Sequence, residues 1–230
     1  MKKMELTILM PCLNEERTLG SCIDEAKAFI NRNDLSAEIV IADNGSTDRS
    51  CEIAKEKGAR VVHVQEKGYG NALKGGIAAA KGTYTIMGDC DMSYDFLNLE
   101  QMLALLRQGN DFVIGDRFKG GIEPGAMPFS HKLGAPFLSL VGRIAFRTDI
   151  GDFHCGIRGF RTDTMRALQL TSGGMEFATE MIAKTVRAGV RIAQVPVPLR
   201  PDGREGKPHL RTIRDGFRHL FLIIRLAFDK

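Results

Sequence analysis

The sequence lacks the patterns of a disulfide-rich protein, a membrane-spanning protein and a strongly basic nucleic-acid binder. Its five cysteines form no C-x-x-C pair and are odd in number, which favours a reduced chain over a disulfide framework. No stretch reaches the roughly 18 apolar residues of a membrane-spanning helix. The N-terminal apolar run stops at Pro11, too early for a signal peptide. The net charge of +4 is too small for a dedicated nucleic-acid binder.

The composition is that of one soluble globular domain, with 43% apolar and 26% charged residues among 230. Apolar runs rich in Val and Ile alternate with helix-length segments through the first half. We predict strands at 6–10, 38–42, 60–64, 84–87 and 112–114, with helices at 17–30, 47–57, 70–80 and 97–107 between them. This alternation predicts βαβ units and an α/β domain with a mostly parallel sheet.

The second half is less regular. Four Gly or Pro interruptions early in residues 117–133 predict a long functional loop there. Helical patterns follow at 134–147 and 175–188, and a strand pattern at 190–197. Residues 198–210 form a second basic loop rich in Pro and Gly.

A short apolar run ends in the sequence GDCDMSYD, which holds three carboxylates in seven positions. Asp89 and Asp91 repel each other unless a cation lies between them, and an all-oxygen site of this kind suits Mg²⁺ or Mn²⁺ with a phosphate-bearing substrate. The alternative is that the pair caps a helix beginning near Phe96, although Ser93 or Asp95 is better placed to do so.

The segment ADNGSTDRS follows the second predicted strand. Gly45 permits a tight turn, and Ser46 or Thr47 can cap the next helix. An ordinary βα turn explains these three residues. It leaves Asp43 unexplained, and we expect its carboxylate to face a cleft, where a base or ribose can bind.

Four segments in order, PCLNEERTL, IADNGSTD, GYGNALKGGIAAAKG and MGDCDMSYD, resemble the inverting family 2 glycosyltransferases. The later IGDRFKGG and GDFHCGIRGFR are similar to dolichyl-phosphate mannose and glucose synthases and to bacterial polyprenyl-phosphate glycosyltransferases. The resemblance covers about residues 6 to 210 and implies a GT-A type, Rossmann-like nucleotide-sugar-binding domain. The processive polysaccharide synthases of this family carry Q-x-x-R-W, and this chain contains no Trp.

The resemblance also implies roles for individual residues. It assigns nucleotide-sugar binding to Pro11, Asn14, Glu15, Asp43, Gly68 and Asp89. It assigns the metal to Asp89 and Asp91, and it makes Asp89, Asp91, Arg117 and Asp152 the catalytic set. Two departures stand out: Asn44 replaces the second Asp of V-D-D-G-S, and Met92-Ser93-Tyr94 replaces a polar tail that can supply a further metal ligand.

A lipid phosphate acceptor is already ionised near neutral pH, so it needs basic groups rather than a general base. The expected acceptor-phosphate residues are Arg117, His131, Lys132, Arg158, Arg200, Arg204 and Lys207. If the acceptor is a hydroxyl instead, Asp152 is the expected base.

We divide the chain into a catalytic domain, 1–209, and a basic C-terminal helix, 210–230. Its apolar stripe consists of Ile213, Phe217, Leu220, Phe221, Ile224 and Phe228. Such a helix either lies on an anionic membrane or packs on the sheet. We predict hexose transfer from UDP-glucose or GDP-mannose to a polyprenyl phosphate at the cytoplasmic membrane face. A hydroxyl acceptor and a non-catalytic nucleotide-sugar sensor stay open as alternatives.

Overall fold

The computed structural model describes residues 4–203 and 212–228. The strands are β1 (Leu6–Cys12), β2 (Ala37–Asp43), β3 (Arg60–His63), β4 (Tyr84–Met87), β5 (Phe112–Asp116), β6 (Arg158–Arg161) and β7 (Ile192–Pro196). The helices are α1 (Leu19–Arg32), α2 (Ser50–Glu56), α3 (Tyr69–Ala79), α4 (Glu100–Arg107), α5 (Arg117–Gly120), α6 (Phe129–Phe146), α7 (Thr162–Ala167), α8 (Phe177–Arg187) and α9 (Thr212–Phe228).

The seven strands form one sheet in the order β3-β2-β1-β4-β6-β5-β7. Every pairing is parallel except those of β6, which is antiparallel to both β4 and β5. The predicted α/β class with a mostly parallel sheet is therefore confirmed.

The core lies against both faces of the central strand β1. All of its side chains are buried except Pro11, as expected for a strand covered on both sides by helices. Helix α1 buries the stripe Leu19, Cys22, Ile23, Ala26 and Phe29, whose spacing is that of one helix face. Because the strands on either side run parallel to β1, the loops after β1, β2 and β4 emerge at one edge of the sheet.

The second half departs from the predicted elements in two places. The strand β6 was not predicted, because its four residues, RGFR, carry arginines at both ends. Helix α6 begins at Phe129, so much of the loop predicted at 117–133 is helical, and only 121–128 lies between α5 and α6. Pro128 supplies an extended residue directly before the helix, which explains this early start.

The C-terminal helix predicted at 210–230 is observed as α9, and it packs against α6 and α8. None of the helices within 4–203 and 212–228 has the length and apolarity needed to cross a bilayer.

Candidate active site

The loops after β1 and β2 are bonded to each other at the edge of the sheet. The backbone N–H of Asn14 donates to Ser46 Oγ (3.0 Å), and the Thr47 N–H donates to Asn14 Oδ1 (2.8 Å). Asn14 has a positive φ of 57°, a conformation that Asn tolerates better than most residues. Glu15 is buried, and its N–H donates to Ser50 Oγ (2.8 Å). These bonds fix the shape of the predicted nucleotide-facing loop.

Asp43 is buried beneath the turn that follows β2. Its carboxylate accepts the N–H groups of Gly45 (3.3 Å) and Ser46 (2.9 Å) and lies 3.0 Å from His63 Nδ1. Burial alone would raise the pKa of Asp43, but the hydrogen bonds from Ser46 and His63 outweigh it and lower the pKa. The Asp43 carboxylate thus stabilises the turn by accepting its backbone N–H groups. Its contact with a base or ribose stays a prediction.

Asn44 joins the turn after β2 to the segment before α3. Its amide group donates to the carbonyls of Val64 (3.2 Å) and Glu66 (2.8 Å), and its Oδ1 accepts the Gly68 N–H (2.7 Å). An aspartate at this position has no N–H to donate to those carbonyls. The departure from V-D-D-G-S is therefore a structural feature of this chain.

Gly68 lies where a side chain cannot fit. Its φ is +134°, and a Cβ there would lie 2.2 Å from the carbonyl oxygen of Gly173. The loop of residues 171–174 therefore closes directly over the start of α3, where the Asn71 N–H also donates to the Gly173 carbonyl (3.2 Å). Glu180 fixes this loop by accepting from the N–H groups of Thr171 and Ser172.

The D-x-D loop follows β4, and each aspartate accepts a hydrogen bond from a hydroxyl group. Tyr69 donates to Asp89 Oδ1 (2.9 Å), and Ser93 donates to Asp91 Oδ1 through both its N–H (3.0 Å) and its hydroxyl (2.5 Å). Burial and the Asp89 charge raise the pKa of Tyr69 well above its ordinary value, so the phenol stays protonated and donates. The capping alternative is wrong, because the next helix, α4, begins only at Glu100.

The D-x-D loop also contacts its neighbours on both sides. The Cys90 thiol donates to the Pro11 carbonyl (3.1 Å), and the Gly203 N–H donates to the Asp91 carbonyl (2.8 Å). The Gly156 N–H donates to the hydroxyl of Tyr94 (2.7 Å). The loop therefore lies between the predicted donor segments and the predicted acceptor segments.

The donor set of this loop fits a hard divalent cation. Two carboxylates from one short loop, each oriented by a hydrogen bond to Oδ1, supply the oxygen ligands that Mg²⁺ and Mn²⁺ prefer. A second group of ligand-type atoms, on Asp43, Cys51 and His63, lies within 4.8 Å of one another. Hydrogen bonds of the Asp43 carboxylate to His63 and to the turn account for that group.

Arg117 and Asp152 form a bidentate ion pair across the edge of β5. Arg117 Nε donates to Asp152 Oδ2 (2.6 Å) and Nη2 donates to Oδ1 (2.9 Å). The Arg117 side chain is 11% exposed and that of Asp152 is 0% exposed. Both carboxylate oxygens of Asp152 thus hold the guanidinium in place.

Arg158 is completely buried on β6. It donates to the carbonyls of Phe153 (2.8 Å), Cys155 (2.9 Å) and Ala178 (2.8 Å). This geometry gives no support to the prediction that Arg158 binds acceptor phosphate, because the guanidinium has no surface that an acceptor can reach. Its contacts instead hold the segment 153–155 onto α8.

The other predicted acceptor residues lie in different places. His131 and Lys132 are in the first turn of α6, and burial together with the charge of Arg117 lowers the pKa of His131. Arg200 is paired with Glu25 (3.1 Å) and Asp95 (2.7 Å). Arg204 and Lys207 lie outside the described residues.

Sequence reasoning missed the residues that orient the D-x-D carboxylates. Tyr69 directly follows Gly68 in the quoted GYGN segment, and Ser93 lies two residues after Asp91, a spacing at which an aspartate commonly accepts a backbone N–H. The Ser93 spacing is a signal that the sequence holds. The Tyr69 contact depends on how α3 packs on the central strands β1 and β2, which no local pattern reports.

Comparison with known proteins assigns the chain to a family. The family model described as "Glycosyl transferase family 2" matches residues 7–168, so the chain belongs to glycosyl transferase family 2, a family of sugar-transferring enzymes. The resemblance inferred from the motifs is confirmed.

Two relatives from Haloferax volcanii are similar over most of this chain. "Low-salt glycan biosynthesis hexosyltransferase Agl6" is 38% identical over 222 residues, which cover 95% of this chain and 53% of that protein. "Dolichyl-phosphate hexose transferase" is 31% identical over 204 residues, covering 88% of this chain and 86% of that protein. The chain thus spans about half the length of the first relative.

A solved structure has the same fold. It is glucosyl-3-phosphoglycerate synthase from Mycobacterium tuberculosis, crystallised with Mn²⁺, uridine diphosphate and phosphoglyceric acid. The TM-score is 0.76, with 21% identity over 99% of this chain and 80% of that chain. This likeness identifies the GT-A type architecture.

Proposed function

We propose that this protein is a metal-dependent inverting hexosyltransferase that moves one hexose from a nucleotide diphosphate sugar to a polyprenyl phosphate. The observation that carries the proposal is the position of the D-x-D loop, which is bonded to Pro11 on the donor side and, through Tyr94, to Gly156, four residues after the Asp152 that pairs with Arg117. The similarity to a dolichyl-phosphate hexose transferase supports the acceptor class.

UDP-glucose is the first choice of donor and GDP-mannose the second. The fixed turns around Asn14, Asp43 and Gly68 supply a rigid, polar edge for the nucleoside. Because their N–H and C=O groups are already bonded within the protein, the loops need little ordering when the donor binds, which preserves binding free energy.

Asp89 and Asp91 would hold the Mg²⁺ or Mn²⁺ ion. When bound, the ion supplies Lewis-acid neutralisation of the diphosphate leaving group. Tyr69 and Ser93 orient the two carboxylates by hydrogen bonds before the donor arrives. This preorganisation lowers the reorganisation needed as charge develops on the leaving group.

Arg117 is the proposed acceptor-side cation. Its pairing with Asp152 fixes the direction of the guanidinium, and 11% of the side chain stays exposed. An ionised lipid phosphate needs a positioned cation and no base. A hydroxyl acceptor, by contrast, requires Asp152 as base, yet this carboxylate is fully buried and its oxygens accept from Arg117.

The proposal is tested by incubating the protein with radiolabelled UDP-glucose or GDP-mannose, Mn²⁺ and undecaprenyl phosphate. We expect labelled product in the organic phase, and none after the metal is chelated. If calorimetry showed that the donor binds but no acceptor gave turnover, the proposal would be contradicted and the nucleotide-sugar sensor would be favoured.

Asp152→Asn separates the two acceptor classes. With a phosphate acceptor we expect a partial loss of kcat/KM and an unchanged pH profile, since the amide oxygen still accepts from Arg117 while the lost charge lowers the stability of the fold. Complete loss of turnover, together with transfer to a hydroxyl acceptor by the unaltered protein, would favour the general-base alternative.

A further inference from the structure

The exposed large hydrophobic side chains of the described residues are concentrated on two neighbouring helices. Five are on α6 and four on α9, out of eleven. They are Phe129, Leu133, Phe137, Leu140 and Ile144 on α6, and Phe217, Phe221, Ile224 and Phe228 on α9. Contiguous apolar surface on this scale marks an interaction site rather than ordinary surface variation.

On each helix the exposed apolar stripe lies opposite a buried stripe. Helix α6 buries Ser139, Gly142 and Phe146. Helix α9 buries His219, Ile223 and Leu226. At about 100° per residue, these positions lie on the side of the helix away from the exposed stripe. Helices α6 and α9 pack against each other, and each turns its buried stripe inward, so we infer that the two exposed stripes form one surface. We call this surface the two-helix face.

The charged residues within the two segments that carry the exposed stripes have one sign. Residues 129–147 and 217–228 contain no Asp or Glu. The exposed cations of these segments are Lys132, Arg143, Arg147, Arg218 and Arg225. An apolar stripe flanked by cations, without acidic residues, is the pattern of a helix that lies in the interface of an anionic bilayer.

We propose that the two-helix face docks on an anionic lipid bilayer, with α6 inserting its apolar stripe beside that of α9. A second copy of this chain fits the face less well, because a symmetric contact would bring the same cations together across the interface. The proposal rests on exposure and charge, so it holds whichever acceptor the site takes. The proposed membrane-binding surface includes α6 as well as the C-terminal helix that the sequence predicted to bind a membrane.

The inner sides of both helices approach the acceptor side of the active site. The ring of His219 on α9 packs edge-on against His154, with 4.6 Å between ring centroids. His154 lies two residues from Asp152, which pairs with Arg117, and the Arg117 charge also reaches His131 on α6. A membrane on the two-helix face would therefore lie on the side of Arg117.

A groove of about 690 Å³ borders α9 and extends this surface. One wall consists of Phe217, Leu220, Phe221 and Ile224, and the other includes Thr171, Ser172 and Glu176. The loop that forms the second wall closes over Gly68 at the start of α3. Side chains of the two-helix face thus also border the donor side of the site.

Vesicle sedimentation of the purified protein tests the proposal. The variants are Phe137→Asp with Ile144→Asp on α6, and Phe221→Asp with Ile224→Asp on α9. With vesicles of phosphatidylcholine and phosphatidylglycerol, we expect each pair to lower the partition coefficient by about tenfold or more. The matched control is Lys55→Asp on α2, which packs beside the edge strand β3 and away from α6 and α9, and this variant changes the net charge by the same amount.

Because the chain has no tryptophan, Phe137→Trp and Phe221→Trp each introduce a single fluorescent probe with little change in packing. We expect both probes to shift to shorter wavelength with anionic vesicles and to be quenched by brominated lipid. The exposed control Lys55→Trp should not respond.

Several results would overturn the proposal. The first is a Phe137→Asp, Ile144→Asp double variant that binds vesicles as well as the unaltered protein. The second is a Phe137→Trp variant whose fluorescence does not change with anionic vesicles. The third is a dimer in solution that the same double variant dissociates, because the occupant of the face would then be a second copy of this chain. Turnover of detergent-dispersed acceptor by the same variants is a separate measurement, so a failure here is distinct from a failure of the proposed transferase activity.

Discussion

The donor side and the acceptor side of this protein satisfy their polar side chains in different ways. On the donor side, Asn14, Asp43 and Asn44 bond to backbone N–H and C=O groups of neighbouring turns. On the acceptor side, Arg117 pairs with Asp152, and Arg158 donates to three buried carbonyls. The first arrangement holds the turns through backbone partners, and the second holds two guanidinium groups inside the protein.

This difference has an energetic consequence. A hydrogen bond in a turn contributes about 1 kcal/mol to stability, whereas removing one partner of a buried ion pair costs about 3–5 kcal/mol, because the other charge is left unpaired. We therefore expect donor-side substitutions to reduce turnover more than stability, and acceptor-side substitutions to reduce stability as well.

The largest effect is expected for Asp91→Asn. Replacing a carboxylate of the proposed metal pair should lower kcat/KM by about 10³-fold with Mn²⁺, while the amide oxygen still accepts from Ser93 and preserves the fold. Radiolabelled transfer and a thermal melt measure the two effects. The matched control is Asp163→Asn on α7, where the side chain is 93% exposed. Unchanged turnover of Asp91→Asn would exclude the metal role.

Arg117→Met tests the acceptor side. The variant leaves Asp152 buried without its cation and should lower the free energy of unfolding by about 3–5 kcal/mol in urea titrations. Adding Asp152→Leu should recover much of that loss. The exposed pair of Arg107 and Glu5 is the control, and Arg107→Met should cost at most about 1 kcal/mol. If both arginine variants lowered the free energy of unfolding by the same amount, the proposed difference between buried and exposed ion pairs would be contradicted.

Glu180 should make stability depend on pH in the acid range. Burial raises its pKa, but bonds from Lys184, Ser172 and Thr171 outweigh this and lower it to about 2. Since the pKa is depressed in the folded state, this stability is complete above the unfolded value and is lost as pH falls from about 4.5 towards 2, up to about 3 kcal/mol.

Chemical unfolding of Glu180→Gln across this pH range measures the contribution. We expect the variant to be less stable near neutral pH and its stability to vary less with acid, while Glu56→Gln on the surface of α2 follows the unaltered protein. A variant with the same acid slope as the unaltered protein would assign the pH dependence to other carboxylates.

The smallest effect is expected for Asn44→Asp, although Asp is the residue of the V-D-D-G-S pattern. The variant cannot donate to the carbonyls of Val64 and Glu66, so we expect a loss of about 1–3 kcal/mol and a higher donor KM. Asn31→Asp, on the exposed surface of α1, is the control. A stable variant with unaltered KM would show that the turn tolerates either residue.

Much of the fold could be predicted from the periodic pattern. The five strands expected in the first half are observed as β1 to β5, and the strand expected at 190–197 is β7. These strands are apolar, short and separated by helices, so their burial is visible in the residue types alone. The positions of Asn14, Asp43 and Asp89 at one edge of the sheet follow from the same parallel order.

The hydrophobic pattern did not predict the correct element where a residue's burial differs from what its type suggests. The β6 strand carries Arg158, which is buried only because Phe153, Cys155 and Ala178 present carbonyls to it. Residues 129–133 were assigned to a loop because of the preceding Gly and Pro residues, although Phe129 and Leu133 already have helical spacing.

The sequence by itself determined the alternating architecture, the family and the position of the D-x-D loop, because hydrophobic period, turn residues and motif order are local properties. Only the tertiary structure decided that Arg117 pairs with Asp152, that Tyr69 orients Asp89 and that α6 packs against α9. Each of these depends on packing between segments far apart in the chain, and no local pattern encodes that packing.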